Sequence, residues 1–429
     1  MIFRERRINV RYCIIVLVTF FSLSTSSAQT FTQFVQRLET LSPAQRNTAV
    51  QKFFLSHLTT PIIDQDSLLH FVFYGKAGSL SVNGNLQHWI APDSMIKIEC
   101  GDSTFFYRTY GVPQNARLDY QMIVDGNYQL DPRNPHHTPS GFGNHSEVRM
   151  PKFVSSPYLK FRNDISHGTI DSLGPVMNIP AILSHYLSSI RRYRPPEYDT
   201  LSNLAVAIRP IKIYRPPGYD TLSNLASVYI HDGFETIDFA RVPTIIDNLI
   251  AEKKIPPIIA VFIHSVERQD EYVGNKRDQY VKYLSDDLVP LIDRLYKTNR
   301  LSFKRAMMGI SSGGHISLYA ALSRPDIFQN VGAQSSVITP WLTELTKKQS
   351  DANRISPQLK IYIDCGRYDI KIVENPMLGN VEFLEMNRRY SSLLSSLHIP
   401  HYYKEVNDGH EWANWRERMP EMLMSFFGR

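Results

Sequence analysis

From about residue 211 to the C-terminus, short apolar runs alternate with helical stretches, and this alternation constrains the fold more than any other feature. The runs are "SVYIHDG", "PPIIAVFIHS", "RAMMGIS", "NVGAQSS", "LKIYIDCG" and "HYYKEVN". Most are continuously apolar, as strands buried on both faces must be. Helical stretches near 236–254, 277–298, 313–323, 379–397 and 412–427 separate them. The pattern predicts a mostly parallel sheet with helices on both faces, an α/β fold. The chain has 429 residues, more than the roughly 250–300 that a single core usually holds, so a second domain is expected.

That domain is predicted upstream. Between Ser67 and Phe153 the runs "LLHFVFYG", "SLSVNG", "MIKIEC", "FFYRTYG" and "LDYQMIVDG" are short and punctuated by Gly, Asn, Asp and Pro. Such spacing suggests an antiparallel, immunoglobulin-like sandwich. Before it, Phe31, Phe34, Val35 and Leu38 recur at helical spacing. Ser42 and Pro43 look like the cap and first position of a second helix, running to about His57. The expected division is a helical segment at 29–60, the sandwich at 61–155, a linker at 156–210 and the α/β domain at 211–429.

The linker carries a duplication: "YRPPEYDTLSNLA" from Tyr193 recurs as "YRPPGYDTLSNLA" from Tyr214. One repetition is too few for a solenoid. Only the second copy runs directly into an apolar strand, so "IKIYRPPGYD" is assigned to the sheet. The first copy is taken as an edge strand or surface loop.

Residues 1–28 combine a basic segment, the apolar run Cys13 to Leu23, and small residues ending at Ala28. These are the three regions of a cleavable signal peptide, and the run is short for a bilayer span of about 20 residues. The expectation is a periplasmic or secreted protein cut near Ala28, with no membrane attachment afterwards. Arg4, Arg6, Arg7 and Arg11 against Glu5 account for +3 of the formal charge of +6. The remaining +3 gives no bias towards nucleic acid. Cys100 and Cys365 then fall in different domains, which disfavours a disulfide and makes no zinc site. The pair His136–His137 has no third histidine or carboxylate beside it in sequence, so no metal is expected.

The chemistry concentrates in "RAMMGISSGGHISLYAALSRPDIF". Gly309-Ile310-Ser311-Ser312-Gly313 fits G-x-S-x-G between a predicted strand and a predicted helix, the context of a nucleophile elbow. The glycine spacing selects Ser311 over Ser312 as nucleophile. Ser312 would offer its backbone N–H to a developing oxyanion. A glycine-rich strand-to-helix loop without chemistry has the same local pattern, so the downstream order matters. Asp369 follows the strand "LKIYIDCG", and His410 follows "HYYKEVN". Ser, Asp and His in that order, each after its own strand, is the chain order of the α/β-hydrolase triad. Asp364 is a rival acid, placed within its strand run. A second oxyanion donor is expected from the N–H of Gly233 or Phe234 in "YIHDGFE". His231 and His264 are expected to line the pocket, and His315 to face solvent. Trp89 could stack on a sugar or pack in the sandwich core.

Taken in order, "VYIHDG", "PPIIAVFIHSVERQDEYVGN", "DDLVPLID", "MMGISSGGHISLYAALSRPDIF", "CGRYD" and "DGHEWANW" resemble the putative-esterase superfamily of α/β hydrolases. That group includes enterochelin esterases, feruloyl and acetyl-xylan carbohydrate esterases, S-formylglutathione hydrolase and mycolyltransferases. The likeness extends over about residues 60–429 and is nearest to enterochelin-esterase-like proteins, which also carry an early-set sandwich. It implies Ser311, Asp369 and His410 as the triad, with Arg268 and Glu271 bordering the site. Arg268 would contact an anionic or catecholic substrate, or form a surface ion pair; Trp412 would wall the pocket or pack the last helix. It further implies a serine carboxyl-ester hydrolase without cofactor, acting on siderophore esters or feruloyl or acetyl carbohydrate esters. The alternatives are an acyltransferase of the same superfamily and a non-catalytic glycan-binding protein. Two features depart from the family pattern: "DDLVP" for its "ELVP", and the duplicated segment. The export signal suits the carbohydrate esterases better than cytoplasmic siderophore esterases.

Overall fold

A computed structural model describes residues 29–141, 143–173, 209–375 and 379–428. The signal-peptide expectation and the first copy of the duplication lie outside these residues. The chain divides into two compact units, the first ending at Leu41. Of the first unit, α1 (Phe31–Thr40) is described, capped by a reciprocal box between Thr30 and Gln33. The rest of the chain, from Ser42 onward, forms the second unit.

The second unit opens with α2 (Pro43–Ser56), which has a capping box from Ser42 and Gln45 and proline in its first turn. The glutamine at the third helical position completes each box, so both helix starts are written in the sequence. Phe53 and Phe54 of α2 pack on Phe105 of the following sandwich. That sandwich has a four-stranded and a six-stranded antiparallel sheet. Leu69, Phe71, Phe106, Leu118, Tyr120 and Met122 fill the space between them.

The large sheet contains β1 (Thr169–Leu173), β2 (Ile211–Arg215), β3 (Ala226–His231), β4 (Ile258–Ile263), β5 (Arg305–Ile310), β6 (Asn330–Gln334), β7 (Lys360–Tyr368) and β8 (His401–Gly409). Its spatial order is 1-2-4-3-5-6-7-8. β1–β2 and β2–β4 are antiparallel, and the remaining pairs are parallel. Successive side chains enter different cores. Tyr229 and Met307 join one cluster, while Val228, Ile230, Ala306 and Met308 join the other. α4 (Val242–Ala251) and α8 (Trp412–Phe427) close the second face; α5 (Ser312–Ser323), α6 (Pro340–Asp351) and α7 (Phe383–Ser396) close the first. The C-terminal ends of the parallel strands therefore lie side by side, where open α/β sheets place their ligand sites.

Several expectations need correction. The 156–210 stretch is not only a linker, because β1 lies within it and pairs with β2 along five residues. β2 runs into the second copy of the duplication at Tyr214 and Arg215, and the buried Tyr214 hydroxyl donates to Asp247 Oδ1 at 2.6 Å. The helix expected at 236–254 is two: α3 (Gly233–Asp238) and α4, separated at Arg241, whose φ is +56°. Residues 379–382 form a strand paired with Lys371–Asn375 before α7 begins. α6 was not anticipated, although Thr339 caps it and Pro340 occupies its first turn. Among the described residues both cysteines are free and buried, and no helix is long and apolar enough to cross a membrane.

Candidate active site

The turn between β5 and α5 is fixed by contacts that leave no room for side chains. Ser311 adopts φ +57° and ψ −123°, a region that costs a non-glycine residue about 1–3 kcal/mol. A Cβ on Gly309 would stand 2.2 Å from the Gly313 carbonyl oxygen. A Cβ on Gly313 would press on His231 and Asp232 at 3.2 Å. The strained residue is held by its own backbone. Its N–H donates to Gln334 O at 2.9 Å, and its carbonyl accepts from Val337 and His315, each at 3.2 Å. Ser312 follows at the first position of α5, where a backbone N–H has no partner within the helix.

Asp369 stands just past β7, and His410 just past the adjacent β8. The register between these strands shifts at Gly366–Tyr368, carrying Asp369 out of the sheet ladder towards His410. His410 Nδ1 donates to Asp369 Oδ1 at 2.5 Å. The same oxygen accepts the Ile370 N–H at 2.8 Å, and Oδ2 lies 3.4 Å from the Cys365 thiol. Burial pushes the Asp369 carboxyl up. The His410 charge and hydrogen bond, with help from Ser335 and Cys365, outweigh it and hold the group below its usual range. With Nδ1 committed to the carboxylate, Nε2 is the nitrogen free for proton exchange. The ring sits edge-on against Phe383 and Trp415, with centroids 4.7 and 4.6 Å away. Trp415 Nε1 donates to Ser335 Oγ at 2.9 Å. Ser335 directly follows Gln334, the residue that holds Ser311. Ser311, Asp369 and His410 thus follow β5, β7 and β8, with the end of β6 lying between the first two of these strands.

The rival acid has another partner. Asp364 is completely buried in β7, with Arg418 Nε at 3.0 Å and Gln334 Nε2 at 3.0 Å. Arg418 also grips Asp408. No imidazole reaches Asp364 among the described hydrogen bonds.

On the opposite side of the elbow, β3 is followed by Asp232, with φ +52°, and α3 starts at Gly233. A Cβ on Gly233 would meet the β4 backbone at 2.5 Å, so only glycine lets the turn approach so closely. The Gly233 and Phe234 N–H groups open α3, and the Phe234 ring stacks on His264 at 4.9 Å. Arg268 clamps Asp232 through Nε and Nη2 at 2.8 and 2.7 Å. Its charge is thereby matched within the protein, while its side chain stays 35% exposed. Glu271 is buried and salt-bridged to Arg209, and it accepts the Val266 N–H at 3.2 Å. Both residues build the frame of this turn. Trp412 is half-buried at the start of α8, edge-on to Trp415 at 5.3 Å.

Two histidine expectations fail. His315 does not face solvent: it is fully buried, bonded to Tyr272 O at 2.7 Å and Thr339 Oγ1 at 2.8 Å. Burial lowers its pKa to about 4. His231 is equally buried beside Ser317 Oγ at 3.0 Å, with its pKa lowered to about 3 by burial. It packs the core and does not line a pocket. Trp89 tilts over His145 at 4.6 Å, on the side of the sandwich that meets α8. Asp119, His145 and Glu411 offer ligand atoms within 4.8 Å of one another. However, Arg117 already engages both Asp119 oxygens at 3.1 Å, supplying the positive charge a cation would bring. Ser335 and Glu411 are not singled out from sequence, and Cys365 is considered there only for a disulfide or zinc, not as a neighbour of Asp369. Only Glu411, next to His410 in "DGHEW", left any local signal.

The family model described as "Putative esterase" matches residues 207–426, from β2 into the last turn of α8, and includes Gly233, Phe234, Arg268, Ser311, Asp369 and His410. This chain belongs to that esterase family. It is 23% identical over 326 residues to an endo-1,4-beta-xylanase/feruloyl esterase of Xylanibacter ruminicola, matching 72% of this chain but only 38% of that protein's length. It is 27% identical over 195 residues to the uncharacterized protein YjcH of Bacillus subtilis, covering 44% of this chain and 79% of YjcH. Among solved structures it resembles the ferric enterobactin esterase of Salmonella typhimurium, with TM-score 0.64 and 14% identity over 88% of this chain and 98% of that one. It also resembles the enterobactin esterase of Shigella flexneri, with TM-score 0.63 and 17% identity over 88% and 97%. Esterase-family membership and this shared fold support a carboxylic ester hydrolase.

Proposed function

We propose that the protein is an exported serine esterase of the α/β-hydrolase fold, with Ser311 as nucleophile, His410 as general base and Asp369 as the orienting acid. The observation that carries this is the His410–Asp369 bond, beside a serine held at positive φ on a G-x-S-x-G turn. In the forward step Ser311 Oγ attacks the acyl carbon while His410 Nε2 takes its proton. Asp369 stabilises the imidazolium. The Ser312 N–H, with that of Gly233 or Phe234, receives the oxyanion. His410 then returns the proton to the leaving alcohol, and water repeats the sequence on the acyl-enzyme. No hydrogen bond joins Ser311 Oγ to His410 among the described residues; such bonds often tighten only when substrate is bound.

The substrate classes follow the relatives. The sequence relative is an endo-1,4-beta-xylanase/feruloyl esterase, and the structural relatives are enterobactin esterases. We infer that the substrate is an ester of a carbohydrate or a siderophore, and that residues 1–28 export the enzyme from the cytoplasm, with cleavage near Ala28. Transfer to a second alcohol would use the same triad, and product analysis with sugar acceptors separates transfer from hydrolysis. The direct test is turnover of p-nitrophenyl acetate, methyl ferulate, acetylated xylan and enterobactin by the mature protein and by Ser311→Ala. The variant should retain only the oxyanion-hole and binding contribution, typically about 10³–10⁴ over water. Substantial turnover surviving in the variant would refute the assignment.

A further inference from the structure

We propose that the β-sandwich positions the catalytic pair, through His88 on Asp369 and through Asn85 and His145 on the residues flanking His410; this rests on the triad reading above. Asn85 opens a short 3-10 turn, Asn85–Gln87, and its Oδ1 accepts the Asp119 N–H at 2.7 Å. His88 and Trp89 follow with φ +52° and +58°. Two consecutive non-glycine residues in that region are uncommon. They leave His88 bridging to the α/β domain, where its Nδ1 meets the Asp369 carbonyl oxygen at 2.7 Å. A carbonyl only accepts, so Nδ1 carries the proton. The His88 carbonyl in turn accepts the Lys371 N–H at 3.4 Å. One sandwich residue therefore holds the acid's backbone and the residue two further on.

The base is held from the same side. A Cβ on Gly409 would stand 2.2 Å from Asn85 Nδ2, so the end of β8 lies directly against the Asn85 turn. Glu411, on the other flank of His410, pairs with His145 Nδ1 at 3.3 Å. Trp89 covers the His145 ring. Asn414 ties Gly409 O, at 3.0 Å, to Arg117 Nη1, at 2.6 Å. None of these sandwich groups bonds the His410 ring or Ser311, so their role is positioning. It is a consequential role, because misplacing a catalytic group by about 1 Å can cost 10²-fold in rate. This geometry also gives Trp89 a task at the interface between the two domains.

The test compares the full-length mature protein with His88→Ala and His88→Asn. Asparagine keeps an N–H near the Nδ1 position and tolerates positive φ. His88→Ala should lower kcat by about 10- to 100-fold with KM little changed, and His88→Asn should recover most of it. In parallel, the low-field proton resonance of His410 Nδ1, assigned by its loss in His410→Gln, should move in His88→Ala and return in His88→Asn. The same resonance should persist in Ser311→Ala, so it reports on positioning whatever that variant does to turnover. Unchanged kcat and an unmoved resonance in His88→Ala would overturn the proposal. So would equal losses in both His88 variants that track their thermal midpoints.

Discussion

Asp364 and Asp369 lie five residues apart on one segment of chain, both are buried, and they hold opposite electrostatic states. At Asp364 burial dominates: the carboxyl is raised despite the opposing pull of Arg418 and Gln334. At Asp369 the imidazole and small donors outweigh burial, and the carboxyl is lowered. Burial alone therefore does not mark a catalytic acid. What distinguishes the two is the partner, a titratable ring in one case and a permanently charged guanidinium in the other. The Arg418 cluster acts as a structural bolt between β7, β8 and α8, whereas the proposed function makes the His410 pair a proton-handling device.

Substitutions at each centre separate these roles. Asp369→Asn should lower kcat by roughly 10⁴ while leaving the fold intact, since the ring would lose its orienting charge and correct tautomer. Steady-state kinetics beside a thermal melt checks this; Asp364→Asn should show no comparable loss of kcat at matched folded fraction. Arg418→Met leaves two buried carboxylates without a counter-charge and should cost about 3–5 kcal/mol, read by denaturant unfolding. Any loss of activity there should follow the folded fraction. Asp408→Asn has the smallest expected effect. In the fold Asp408 is raised from 3.8 to about 6 by burial, against the pull of Arg418. The folded state thus binds more protons than the unfolded chain between those values, and stability falls as pH rises from about 4 to about 6. Removing the titration should flatten that slope and leave the melting point at pH 7 equal or higher. A steeper slope in Asp408→Asn would contradict the assignment.

The same comparison shows what the sequence could reveal. Asp369 was preferred because it follows the strand while Asp364 lies within it, a distinction that periodicity exposes. Arg418, which gives Asp364 its role, sits far downstream in α8, and nothing local announces the pairing. His315 was misread for a related reason. Helical position suggested an outward face, but Tyr272, at the end of a short helix, and Thr339, the cap of α6, arrive from distant parts of the chain and bury both ring nitrogens. The elbow was legible because glycine at 309 and 313 is a local steric requirement. The bond from His88 to Asp369 was not, since it joins domains that the sequence presents as separate runs. Local rules thus placed Ser311, Asp369 and His410 at strand ends, whereas contacts between elements settled what surrounds them.

The most direct measurement is to label the purified mature protein with a fluorophosphonate and map the adduct by peptide mass spectrometry, in the wild type and in His410→Gln. A single adduct on Ser311, formed far more slowly once the imidazole is gone, is the predicted result. An adduct on Ser312 or Ser335, no adduct at all, or equal labelling rates in both proteins would contradict it.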